Sequence, residues 1–333
     1  MTELGICVLG AGDMGNAHLT AWAKVEGARL VAVADADGSR ARTAAEKHSV
    51  AGWFTDIREA IAQDGIDIVS VCLPTCFHRD ASEAALRAGK DVLCEKPIAL
   101  TVADAQAMID CREETGRKLG IAFCKRHLGQ LAKLRELLAE GALGRPVMYR
   151  MNGGMEIRFK PWIMDRNGGG GPIVDLCCHY FDQWRWVFGA DPVRVMAMGM
   201  TFAQGAEELP GVDVQTDTAT LCVEYASGDV GVISLSWGLP RGTSAPGPEQ
   251  VLGPGGVVTI EGFRSLKLTR KGTEEQTFGD FDADLYGLQA SAFAQAVRED
   301  RPPVTGAEDG LMALKVSLAV LESIETHRAV EIA

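Results

Sequence analysis

LGICVLGAGDMG, residues 4–15, is an apolar run, then Gly10, Gly12 and Gly15, then an alanine-rich helix predicted from Asn16 to Lys24. Each glycine has a physical task in that context. Gly10 permits a tight turn, Gly12 lets a pyrophosphate approach the backbone, and Gly15 lets the helix pack closely, while the helix N-terminus offers N–H groups to phosphate oxygens. Asp13 and Met14 lie inside the same turn. A second apolar run, Leu30 to Ala34, ends on Asp35, twenty residues past Gly15. At that spacing a carboxylate grips the ribose hydroxyls of a bound dinucleotide. A glycine triplet alone is a weak signal, but here the strand, the helix and the acid follow in order.

The alternation continues outward. Helices are predicted at 39–47 and 57–62, a short extended piece around Trp53, and a buried strand from Ile66 to Leu73 that stops at Pro74, which has no N–H to donate. Pro74, Thr75 and His78 then line the crevice and lead into a helix from Asp80 to Ala88. The next segment, AALRAGKDVLCEKPIAL at 84–100, sends that helix into a strand whose Val92, Leu93 and Cys94 suit burial on both faces of a parallel sheet. Its carboxyl end carries Glu95, Lys96 and Pro97. Lys96 there points its amine at whatever the crevice holds, and the proline after it fixes the backbone that aims it; the plainer alternative is a solvated charge at a strand end. A helix from Val102 to Thr115 and a strand from Lys118 to Phe123 complete a first domain, 1–122.

From 123 to 333 the pattern turns from α/β to α+β. A helix at 131–140 is followed by strands at 147–155, 193–202, 217–225, 229–238 and 257–262, many joined by short turns as in an antiparallel sheet. One long helix interrupts them, from Pro172 to Phe188, directly after Gly168 to Gly171. Within it Asp175 and His179 are one turn apart and share a face, which suits proton transfer by the imidazole with the carboxylate as its partner, or a plain ion pair on a helix surface. Four successive glycines imply that a ligand or another backbone comes close. Arg126, Trp162, Asp165 and Arg166 sit in loops or strand ends, where hydrogen-bonding groups around an aromatic face suit a polyol, or where each is simply ordinary surface. Helices at 285–299 and 308–326 close the chain, and the Gly- and Pro-rich stretch 239–249 reads as the most mobile loop.

Composition narrows the partners. Lys and Arg number 33 against 45 Asp and Glu, a net charge of -12 that disfavours nucleic acid. The nine cysteines are odd in number and set among apolar residues, as at Cys7, Cys72 and Cys222, and read as reduced core thiols of a cytoplasmic protein. Neither Cys72 with Cys76 nor Cys177 with Cys178 has the spacing of a zinc pair, so no metal is expected. Met1 runs almost at once into the strand pattern Gly5 to Leu9, and no stretch is long and apolar enough for a membrane span, so neither a signal leader nor a membrane partner is expected.

With these residues in view, the chain resembles the glucose–fructose oxidoreductase and inositol dehydrogenase family, Gfo/Idh/MocA. The resemblance rests on GAGDMG at 10–15, LPTCFHRDASEAALRAGKDVLCEKPIALT at 73–101 and GGGGPIVDLCCHYFD at 168–182. It implies a doubly wound Rossmann domain with a parallel sheet, then a domain with an open-faced, mostly antiparallel sheet through which the chain forms a homodimer or homotetramer. It further implies that Lys96, Asp175 and His179 are the catalytic residues, that Arg126 contacts substrate, and that the Lys96–Pro97 bond is cis. Cys177 stands where the family usually has glycine, and His127 where it has an aromatic residue. The expected activity is reversible, NAD-dependent oxidation of a secondary alcohol of a sugar or cyclitol, with NAD preferred over NADP because Asp35 repels a 2′-phosphate, a repulsion that Arg40 and Arg42 soften. Cofactor contacts are expected from Gly10, Gly12, Asp13, Met14, Gly15, Asp35, Pro74, Thr75, His78, Glu95 and Lys96, and substrate contacts from Lys96, Arg126, Trp162, Arg166, Asp175 and His179. Two alternatives stay open: a redox glycosidase of the same family, and a non-catalytic sensor or corepressor that binds the cofactor.

Overall fold

Apolar runs too short for helices and buried at every position form the centre of a parallel sheet. β1 (Leu4–Leu9), β4 (Ile68–Val71) and β5 (Asp91–Cys94) have no exposed residue. With β2 (Ala28–Ala34), β3 (Gly52–Phe54) and β6 (Leu119–Ile121) they give the order β3-β2-β1-β4-β5-β6, every neighbouring pair parallel. Crossovers run through α1 (Asp13–Trp22), α2 (Gly38–His48), α3 (Ile57–Ile61), α4 (His78–Arg87) and α5 (Val102–Thr115). Side chains start three of them: Asp37 accepts from Ser39 N–H at 2.9 Å, Asp56 from Arg58 N–H at 2.7 Å, and Thr101 from Asp104 N–H at 3.0 Å. By contrast α1 has no side-chain cap, and its N-cap is Gly12. The strand order reverses between β1 and β4, which is where an open α/β sheet leaves a crevice at its carboxyl ends.

The computed structural model describes residues 3–158 and 160–332. It divides into two units, Met1–Cys124 with Asp284–Leu311, and Lys125–Ala283 with Met312–Ala333. In the second unit, α6 (Gly129–Ala139), β7 (Met148–Glu156), α7 (Pro161–Met164), α8 (Gly171–Asp175) and α9 (Cys177–Phe188) come first. There follow β8 (Pro192–Met200), β9 (Thr218–Tyr225), β10 (Val230–Leu239), β11 (Ala245–Gly253), β12 (Gly256–Glu261), β13 (Ser265–Arg270) and β14 (Gln276–Phe278). After α10 (Leu285–Arg298) and α11 (Ala307–Thr326), β15 (Val330–Glu331) completes a nine-stranded sheet, β14-β13-β12-β11-β7-β10-β9-β8-β15, antiparallel except for the β7–β10 pair. Its inner face buries Tyr149, Leu221, Val223, Tyr225, Ile233 and Val251. Over them lies the aromatic side of α9, with Trp184 5.8 Å from the Tyr149 ring and Phe188 4.9 Å from Tyr225. Gly231 exists for that contact, since a Cβ there would fall 2.0 Å from the Trp184 ring.

Several expectations need correcting. Residues 239–249 are not simply a loop: β11 starts at Ala245 and pairs with β7, with a register shift between Pro246 and Glu249. Prolines that lack a ladder donor disguised this strand. β13, β14 and β15 also escaped the sequence pattern. The helix expected from Pro172 to Phe188 is broken at Leu176, because His179 N–H donates to Leu176 O at 3.1 Å and the Asp175 carbonyl accepts from Cys178 Sγ at 3.2 Å. A division into 1–122 and 123–333 assigns α10 to the second domain, whereas Ala290, Phe293 and Ala294 of that helix pack with Leu19 and Trp22 of α1 in the first unit. Cys222 is not a core thiol either: it is half-buried on the outer face of β9, where the alternation TATLCVEY places it.

Candidate active site

The residues predicted to hold a dinucleotide converge at the carboxyl ends of adjacent strands in the first unit. Gly10, with φ of 95°, donates its N–H to Ala34 O at 2.7 Å. A Cβ on Gly15 would lie 1.8 Å from Gly10 O, so helix and turn touch there and only glycine fits. Gly12 differs, for a Cβ on it would meet nothing within 4 Å. That is an open cradle beside the N-terminus of α1, and it fits a pyrophosphate. Asp13 is exposed there, and Met14 is half-buried under the Tyr286 hydroxyl. Asn16, which the sequence pattern did not single out, braces the loop from behind by donating Nδ2 to Ala11 O at 2.9 Å and Gly12 O at 3.0 Å. Asp35 is pinned at the end of β2, accepting from Ala11 N–H and Asp37 N–H, each at 2.9 Å. Arg40 Nε lies 3.8 Å from it, while Arg42 turns to Glu46.

Pro74 and Thr75 follow β4, the proline half-buried and the threonine buried at the start of a short 3-10 turn, Thr75–Phe77. His78 is buried, and its ring nitrogens lie 2.8 Å from Pro97 O and 2.8 Å from Leu73 O, so it ties the ends of β4 and β5 together. Burial pulls its pKa down against the pull of those two carbonyls. Glu95 is also buried, with its carboxylate against His18 Nε2 at 2.9 Å. Lys96 is half-buried at the tip, and the Lys96–Pro97 bond is cis.

In the second unit Asp175 ends α8 and His179 lies in the first turn of α9, both half-buried. The glycine run before them is answered by the protein's own backbone. A Cβ on Gly168 would fall 2.5 Å from Trp162 O, and one on Gly169 2.7 Å from Ile163 Cα. Trp162 accordingly belongs to α7 and packs on a small core with Ile163, Met164, Leu209 and Trp237. Arg166 is exposed and bound to Asp213, and Asp165 accepts from Asn167 N–H at 2.8 Å. Arg126 is turned inward in a two-pronged ion pair with Asp182 on α9, both side chains buried. Within this unit, then, Asp175 and His179 flank one joint, Arg126 packs one turn further along α9, and Trp162 and Arg166 belong to a separate cluster. Asp182 and His18 escaped the sequence pattern; the only signal for either is a charged or titratable residue on an otherwise apolar helix side.

Residues 4–123 match the model of an oxidoreductase family with an NAD-binding Rossmann fold, and residues 131–258 match the GFO/IDH/MocA C-terminal domain. The chain belongs to the Gfo/Idh/MocA family. It is an enzyme of the oxidoreductase class, in a family of NAD-binding sugar and cyclitol oxidoreductases. The 1,5-anhydro-D-fructose reductase of Ensifer adhaerens is 28% identical over 98% of this chain and 97% of its own. The myo-inositol 2-dehydrogenase of Thermotoga maritima is 29% identical over 98% of each chain. A solved structure of levoglucosan dehydrogenase with NADH and levoglucosan superposes with a TM-score of 0.88, covering 99% of this chain and all of that one; at 22% identity it shows the shared fold. Among the described residues, no helix is long and apolar enough to cross a membrane.

Proposed function

We propose that this protein oxidises a secondary alcohol of a sugar or cyclitol, reversibly, with NAD as the preferred dinucleotide and with Lys96, Asp175 and His179 handling the proton. The observation that carries it is the open cradle at Gly12, with Asp35 just past β2 and Lys96 just past β5 at the carboxyl ends of the same parallel sheet. Substrate class follows the relatives, which include two enzymes named for anhydrofructose and myo-inositol. When bound, the nicotinamide supplies the hydride-accepting carbon. His179 takes the hydroxyl proton, Lys96 stabilises the developing alkoxide, and Asp175 orients them. The carboxylate of Asp35 disfavours a 2′-phosphate, and Arg40 at 3.8 Å weakens that discrimination without Arg42. Arg126 retains a role through α9, which carries His179, rather than through direct contact.

The test is a panel of sugars and inositols scored for NADH formation, followed by His179→Ala on the best substrate. Loss of about a hundred- to ten-thousand-fold in kcat with NADH affinity retained is expected of a positioned base. Near-normal turnover in the variant removes His179 from the chemistry, and a pH limb that survives in His179→Ala but vanishes in Lys96→Ala makes the lysine the base. NADH bound tightly with no turnover on any substrate returns the sensor alternative.

Two further parts of the reading concern context. Copies of the chain associate through the outer face of the nine-stranded sheet, which exposes Met196, Met198 and Met200 in alternation on β8. Beside them run Thr218, Thr220 and Cys222 of β9, an uncharged surface open to a second sheet. The enzyme works in the reducing cytoplasm, in keeping with its nine free cysteines.

A further inference from the structure

Beneath the glycine loop, His18 is 2% exposed on the inner side of α1. Its Nε2 lies 2.9 Å from Glu95 Oε1 and its Nδ1 2.6 Å from Ser70 Oγ, which also accepts from Trp22 Nε1 at 3.3 Å. Glu95 Oε2 in turn accepts the N–H of Lys96 at 3.2 Å. A continuous line of contacts thus runs from the dinucleotide-binding helix to the reactive lysine. We propose that His18 is a positioning residue for Lys96: as an imidazolium it keeps the Glu95 carboxylate ionised and turned inward, and this buried pair sets the charge that the Lys96 amine experiences. The inference rests on Lys96 being the reactive lysine of the proposed function.

An ionised carboxylate buried without a partner costs several kcal/mol, so Glu95 needs a cation within hydrogen-bond reach. His18 is that cation. The groups facing the pair are Ser70 and Cys72 from the end of β4, Lys96 and His78 around Glu95, and the Tyr286 ring of α10, 6.1 Å from the imidazole. Burial opposes charge on both partners. For His18 it is outweighed by Cys72 and Glu95, which hold the ring up at about 10, and for Glu95 by His18, Lys96 and His78, which hold the carboxyl below its usual range. Both shifts favour the ion pair, in agreement with the 2.9 Å contact.

The test reads Lys96 directly, without sugar turnover: competitive acetylation of the full-length protein across neutral to alkaline pH, followed by mass spectrometry of the Lys96 peptide, with NADH binding measured alongside. Without His18 the buried Glu95 carboxylate has Lys96 as its remaining nearby cation, which favours the protonated amine, so His18→Gln moves the labelling midpoint up by about half to one pH unit. Glu95→Gln removes an anion and moves it down by a similar amount, and the double variant returns toward wild type. A merely structural pair lowers the melting temperature and leaves the midpoint where it was, and that result, or two shifts in the same direction, overturns the proposal. Should His18→Gln not fold, Glu95→Gln decides alone: a downward shift supports the inference and an unchanged midpoint ends it. Shifts of opposite sign in a protein that oxidises no sugar keep the inference and remove the proposed function; sugar oxidation with no shift does the reverse.

Discussion

Gly12 and Gly15 stand three residues apart in one turn, yet their neighbours differ completely. Ala at Gly15 drives a methyl against the Gly10 carbonyl, 1.8 Å away, and nothing in that backbone can yield cheaply. Gly15→Ala should therefore lower stability by about 1–3 kcal/mol, read as a fall in melting temperature without cofactor. Gly12→Ala meets only open space, so its melting temperature should stay near wild type while NADH affinity drops at least tenfold in calorimetry; unchanged affinity argues that no phosphate sits there. His127 offers a separate check at the same scale. Burial, with Arg126 beside it, holds its ring down at about 4 against an ordinary 6.5. The unfolded chain then takes up a proton between those two values that the folded protein refuses, so stability falls as pH drops through that window, by at most about 1.4 kcal/mol per pH unit. His127→Asn should flatten this part of the acid limb in denaturant titrations from pH 7 downward, and an unaltered limb shows that the ring already titrates normally.

At the scale of elements, α10 and the α8–α9 joint matter most. Phe293 of α10 is buried in the core of the first unit and lies over Gly120 of β6, where a Cβ would come 2.7 Å from its ring. Phe293→Ala should cost about 3–5 kcal/mol, and it should do so within the dinucleotide-binding unit although the residue lies far along the chain. Added NADH should raise the variant's melting temperature, as binding to the folded state requires. If the loss leaves NADH-dependent stabilisation intact but unfolds residues 125–283 first in hydrogen exchange, the helix belongs elsewhere. At the joint, Leu176 separates α8 from α9, and His179 N–H bonds to Leu176 O instead of continuing the i to i+4 ladder to Asp175. Asp175 and His179 are thus set by two separate helices, which lets each be fixed by its own packing.

For the molecule as a whole, the outer face of the nine-stranded sheet exposes Met198 at 70%, Met200 at 54% and Met196 at 42%, with no charge among them. This is the face through which copies of the chain are proposed to associate. Met198→Glu puts a charge at the centre of this proposed interface, and light scattering after size exclusion should show a shift toward monomer with folding and NADH binding unaltered. An unchanged mass moves the interface off this face. A related expectation follows from the return of the chain to its first unit: residues 1–124 alone lack α10, leave Leu19 and Trp22 without their cover, and should not fold cooperatively unless residues 284–311 are joined to them.

Apolar runs of strand length, glycines at set spacings and an acid twenty residues on were enough for the parallel sheet, its order of elements and its phosphate turn, because each is a local rule of backbone and burial. The position of Lys96 just past a buried strand was legible for the same reason, since it follows a run with no polar face. Neighbours in space but not in sequence were another matter. That Arg126 turns into Asp182 and not outward, that the glycines at 168 and 169 make room for residues 162 and 163, and that Phe293 completes a core begun by Leu19 all depend on long-range packing. Even the histidine beneath the glycine loop looked like any polar residue on a helix. Only folding, which removes it from water and brings Glu95 within 2.9 Å, gives it a charge to keep.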